Sequence, residues 1–152
     1  MRINTRIFGE VDIDDDKIIS FEGGLVGFPE LVDFALLHDS EDEKAQGIQW
    51  LQSLQEPQFA IPVLNPVSVM ENYNPEIDDE LLKPLGESYE DNMLVLVTVT
   101  VPRDITQMSV NLRGPVVINA DSRKAVQVIA EGDEYPVKYQ VYDILKSRKE
   151  EG

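Results

Sequence analysis

Apolar residues recur along this chain in short runs with a period close to two, interrupted every few positions by turn residues. Arg2–Phe8 and Glu10–Ile13 flank Gly9 and predict a hairpin. Asp14-Asp15-Asp16 is the next turn, and Lys17–Phe21 predicts a strand. Further strands are predicted at Phe34–Leu37, Ile48–Leu54, Phe59–Leu64, Met93–Val101, Met108–Leu112, Val116–Asn119 and Ala125–Ile129. Met93–Val101 carries no charge, which predicts a central strand. Gly23–Pro29 is a glycine-rich connection that cannot be a helix interior. Pro57, Pro62 and Pro66 predict edge positions or bends around Phe59–Leu64.

Helical spacing appears in two places. Pro75–Leu85 places Ile77, Leu81, Leu82 and Leu85 on one stripe, with Asn74 as N-cap, Pro75 in the first turn and acids crowding that turn. Tyr139–Lys149 spaces Val141, Ile144 and Leu145 as a helix would, although its start reads equally well as strand. Many short strands and few helices predict a mainly β fold. The expected form is a small antiparallel β-barrel or barrel-like sandwich with one or two short helices. A chain of 152 residues is one domain by default, spanning 1–152, and the tail from about 140 is the least determined part.

Charge changes the picture. Residues 1–91 hold 21 acidic and 5 basic residues, and residues 92–152 hold 8 of each, so the whole net charge of −16 lies in the first part. Such a field repels phosphate backbones and draws in basic partners. It argues against direct nucleic-acid binding and, through self-repulsion, for a monomer. No apolar run approaches the roughly 20 residues of a membrane span. The N-terminus has no apolar signal core, and the absence of cysteine fits a reducing compartment. A cytoplasmic address is expected.

The candidate chemistry is thin. His38 is the single imidazole, and no Gly-x-Ser-x-Gly elbow accompanies it. With no cysteine, a zinc site would need several carboxylates around that one ring. Asp12–Asp16 places acids at alternate positions but lacks the glycine and the distal acid of a calcium loop. Gly23–Gly27 matches neither phosphate-loop spacing, and no lysine follows it. No catalytic residue, cofactor or metal is expected. Polar residues inside strands carry more information: Gln49, Gln52 and Ser53 in one strand, Asn111 and Arg113 beside another. Arg113 reads as either an ion pair at the core edge or a partner contact, and Trp50 as a core anchor.

Four stretches carry a resemblance to a known family. They are Phe21–Phe28, Trp50–Pro57, Val69–Tyr73 and Asn111–Asn119. The chain resembles the bacterial flagellar assembly factor FliW family, whose members show a GxxGF turn, a QS strand ending near Glu-Pro, and an N-L-x-A/G-P-I/V-x-x-N segment. The resemblance implies a small antiparallel β-barrel with no enzymatic activity. It also implies two partners: the CsrA-type translational repressor, whose hold on flagellin message the factor relieves, and flagellin, which competes for the factor. Asn111, Arg113 and Pro115, then Gln52, Ser53, Glu56 and Pro57, are the partner-binding residues it points to. Phe59–Pro66 is the expected open edge for flagellin. Two other readings fit the acidic composition, a general cytoplasmic chaperone or adaptor, and a Ca²⁺-binding or carboxylate-based hydrolytic barrel.

Overall fold

The computed structural model describes residues 2–21, 23–25, 27–37, 48–77, 79–86, 93–132 and 134–151. Its strands in chain order are β1 (Arg2–Thr5), β2 (Gly9–Asp12), β3 (Ile19–Phe21), β4 (Asp33–Leu37), β5 (Gln49–Ser53) and β6 (Ala60–Leu64). They continue with β7 (Met93–Thr100), β8 (Ser109–Val110), β9 (Val116–Asn119), β10 (Lys124–Gln127) and β11 (Tyr139–Gln140). Two α-helices, α1 (Asp79–Leu82) and α2 (Tyr142–Glu151), and four short 3-10 turns complete the described elements.

Seven strands close into a barrel in the order β7-β6-β5-β4-β3-β10-β9, with β9 pairing back to β7. The fold is mainly β, as the strand pattern predicts. One expectation needs correction, because β3 and β10 pair in parallel, Ser20 opposite Lys124 and Phe21 opposite Ala125. Parity requires this: directions cannot alternate all the way round a closed ring with an odd number of strands.

β7 is the hub. It pairs with β9 through Met93–Leu96, with β6 through Val97–Thr98 and with β8 through Val99–Thr100. Phe21, Phe34, Leu51, Val63, Leu96 and Val116 fill the barrel interior. The outer wall is covered in three places. The β1–β2 hairpin lays Ile3 against Ala35 and Leu54, with Ile13 beside them. Leu85 covers Val117 and Val128. Val141 and Leu145 at the C-terminus pack on Val97, Val99 and Val110. Both faces of β9 are therefore buried, and Val-Val-Ile-Asn shows no polar alternation.

The predicted helix over Pro75–Leu85 shrinks to α1 and a following 3-10 turn, Lys83–Leu85. Asn74 does not cap it. The Asn74 N–H donates to the Tyr135 hydroxyl (2.9 Å), and the Glu76 carbonyl accepts from the Glu131 N–H (2.8 Å). These long-range bonds hold the segment extended beside Glu131 and Tyr135. The tail contains both predicted alternatives, a two-residue strand and then a helix.

β6 is not an edge strand, since β5 and β7 flank it. Pro62 is tolerated because it lies opposite Trp50, in the half of β6 that the β7 ladder does not reach. Trp50 itself is half-buried on the outer wall, opposite Leu37. His38 and the acidic stretch Asp39–Lys44 fall outside the described residues.

Candidate functional site

Three of the four family stretches meet at one end of the barrel. The strand directions place there the C-terminal ends of β3, β5 and β10 and the N-terminal ends of β4, β6 and β9. The turn after β3 is shaped by Gly24, with φ of +71°. A Cβ at this position would lie 2.6 Å from the Phe28 carbonyl oxygen and from Pro29 Cα, so only glycine fits. Leu25 and Phe28 exchange backbone hydrogen bonds of 3.3 and 2.8 Å. This closure holds Phe28 outward, 40% exposed. Its ring centroid lies 4.7 Å from that of Phe59. Phe59 in turn meets buried Phe34 at 6.3 Å, and Phe34 meets Phe21 at 5.2 Å. A line of four aromatic rings thus runs from the core to the surface.

The turn between β5 and β6 is built by side chains of β5. Gln52 is fully buried, and its amide nitrogen donates to the carbonyls of Ser53 (2.9 Å), Pro57 (3.1 Å) and Phe59 (3.1 Å). The buried Ser53 hydroxyl accepts from the N–H groups of Gln55 (3.2 Å) and Glu56 (3.0 Å). Arg6 clasps the turn from the hairpin, donating its Nε to the Gln58 carbonyl at 3.2 Å. Gln52 and Ser53 therefore shape the surface from beneath. Glu56 is exposed and Pro57 half-buried.

The Asn111–Pro115 segment is an Asx turn. The Asn111 side-chain oxygen accepts from the N–H groups of Arg113 (3.1 Å) and Gly114 (2.9 Å). A Cβ at Gly114 would lie 2.9 Å from the Asn111 amide nitrogen, so a larger residue would have to push that side chain aside. The Arg113 carbonyl accepts from Ala130 (2.7 Å) and the Pro115 carbonyl from Val128 (3.0 Å). Pro115 is buried, while Asn111 and Arg113 are half-buried.

Gln127 joins the two turns. Its amide donates to the Gly114 carbonyl at 3.0 Å. With Gly24, Leu25, Pro29 and Val126, it lines an open cavity of about 330 Å³. Nothing in the pattern around Gln127 marks it beforehand, because its partner lies 13 residues away. The joining role of Phe59 is equally hidden in the sequence, since it depends on ring packing across the barrel end.

The remaining stretch, Val69–Tyr73, lies elsewhere. Tyr73 packs edge-on against Tyr135, 4.7 Å between centroids, and its hydroxyl donates to the Leu112 carbonyl at 2.5 Å. Burial, with the Tyr135 phenol beside it, pushes the Tyr73 hydroxyl well above the ordinary tyrosine range.

Together these features define a closed barrel with a rim made of backbone turns, an exposed phenylalanine, a carboxylate and a guanidinium. Among the described residues, no group of three His, Cys, Asp or Glu could hold a metal ion. No described helix is long and apolar enough to cross a membrane.

The family model described as FliW protein matches residues 2–141. The chain is 45% identical over 150 residues to the flagellar assembly factor FliW of Lachnospira eligens, covering 98% of this chain and 99% of that one. It is 44% identical over 154 residues to the flagellar assembly factor FliW of Lachnoclostridium phytofermentans, covering 100% and 99%. The crystal structure of a flagellar assembly factor FliW superposes with a TM-score of 0.84 at 30% identity, covering 93% of this chain and 97% of the other. The chain belongs to the FliW family of flagellar assembly factors.

Proposed function

We propose that this flagellar assembly factor works by docking alone, with no bond made or broken. One partner is a CsrA-type translational repressor, whose grip on flagellin message it relieves. The other is flagellin, which competes for it. Both encounters take place in the cytoplasm, with the factor arriving as a monomer. Family membership supports the flagellar role, and the charge distribution carries the choice of a basic partner. Residues 1–91 hold 21 acidic against 5 basic residues. An RNA-binding repressor needs cationic surface for phosphate, and an acidic protein is steered to that surface at low salt. Negative charge beside the RNA path then repels RNA without filling the RNA site.

On the rim, Glu56 and Arg113 are the contacts, with Asn111, Pro115, Gln52, Ser53 and Pro57 holding them in place. Flagellin requires an apolar or backbone surface. With β6 enclosed by β5 and β7, that role passes to Phe28 and the cavity beside it.

Titration with a purified CsrA-type repressor at low and high salt tests the proposal. Affinity should fall at least about tenfold as screening shortens from about 10 Å at 0.1 M to about 3 Å at 1 M. Flagellin binding should fall much less. Failure to capture the repressor in dilute buffer, or turnover of a small substrate by the purified chain, would overturn the reading.

A further inference from the structure

The described residues leave a second opening at the barrel end opposite the glycine turn. A cavity of about 300 Å³ lies there, with Ile19, Leu36, Leu94 and Ile118 as its floor and Lys17 and Arg123 on its rim. The floor is continuous with the barrel interior, because all four residues pack in the cluster around Phe21 and Phe34. Two cations at one mouth stand out in a chain with 13 basic against 29 acidic residues. Neither forms a salt bridge with a described residue. Among the described residues, Asp16 is the one acid lining the cavity, so there two cations face one carboxylate.

Arg123 is held there in an unusual way. Its φ is +58°, the only positive φ of a non-glycine residue among the described residues. A side chain with a Cβ rarely adopts this region, and glycine would adopt it freely. Three groups enforce it. The Arg123 N–H donates to the Asn119 carbonyl (2.8 Å), and the Arg123 carbonyl accepts from the Ser20 N–H (2.9 Å). The Asn119 side chain, 2% exposed, accepts from Asp121 and Ser122 and donates to the Leu85 carbonyl (2.9 Å). A strained backbone at a cavity mouth directs attention to what its side chain does there.

We propose that this mouth binds a small apolar carboxylate, its alkyl chain on the aliphatic floor and its carboxylate between Lys17 and Arg123. Barrel mouths are recurrent ligand sites, and this volume sits at the lower end of the roughly 300–1,000 Å³ range. A short fatty acid matches both the size and the charge. The site is independent of the partner-binding rim.

Octanoate is the probe, and octylamine is the control of equal length and opposite charge. Octanoate should raise the melting temperature in a dose-dependent way and shift the methyl resonances of Ile19, Leu94 and Ile118, while octylamine should do neither. Arg123→Gly should raise the melting temperature of the unliganded protein by relieving the backbone, yet weaken octanoate about tenfold or more. Should Arg123→Gly fail to fold, Lys17→Ala supplies the same loss of affinity without touching the positive-φ position. An equal response to octanoate and octylamine, unmoved floor methyls, or full octanoate affinity in both variants would overturn the proposal.

Discussion

Asn119 is a small residue with a large structural share. It is buried and satisfies three backbone groups, two N–H donors in the 119–123 turn and the Leu85 carbonyl. Asn119→Ala removes the acceptor of the two turn N–H groups and leaves the Leu85 carbonyl with the Ser122 hydroxyl as its remaining donor, and it should cost about 1–2 kcal/mol in urea unfolding, with no change in the slope. Gly24→Ala meets backbone rather than a yielding side chain, so it should destabilise by at least about 2 kcal/mol. Tyr73 sets a pH limit. Its raised folded pKa means the native state holds that proton more tightly than the unfolded chain does. The contribution is complete below the ordinary value of 10.0 and declines as pH climbs above it. Alkaline melting curves should show this decline, and Tyr73→Phe should flatten it.

At the scale of elements, the hairpin and the barrel differ in attachment. Among the described residues, β1 and β2 pair only with each other, and the hairpin rests on the wall through Ile3 and Ile13. β7 is paired along its whole length. Amide exchange should therefore be faster in β1–β2 than in β7, and Ile3→Ala should cost about 2–4 kcal/mol. The same contrast separates what sequence pattern reveals from what it hides. Val116–Asn119 and Met93–Thr100 are legible because local period and β-branching agree with their burial. Asn74 fails as a helix cap for a reason no local pattern contains. The neighbouring residues favour a cap, but a tyrosine 61 residues away binds the Asn74 N–H and holds that segment extended, and the helix starts only at Asp79. Pro62 misleads for a related reason, since its missing N–H is harmless wherever one ladder stops short. On the rim, Asn111 and Gly114 are visible as a turn signal. Glu56 is visible only within the family stretch, and the inward roles of Gln52 and Ser53 emerge only from the folded chain.

For the whole molecule, a net charge of −16 works against compaction. Self-repulsion is screened by salt, so the melting temperature should rise as NaCl increases from about 0.01 M to 0.15 M, where the screening length falls from about 30 to 8 Å. A flat profile would mean that the acids are already neutralised by structure. The barrel has a further consequence, rooted in its single parallel seam. β3 leaves the ribosome early, but its second neighbour is β10, more than a hundred positions later. A nascent chain must wait with an unsatisfied strand until Lys124–Gln127 has been synthesised. Truncation before that point should yield a product that cannot close, aggregates through its bare β3, and is cleared by proteases.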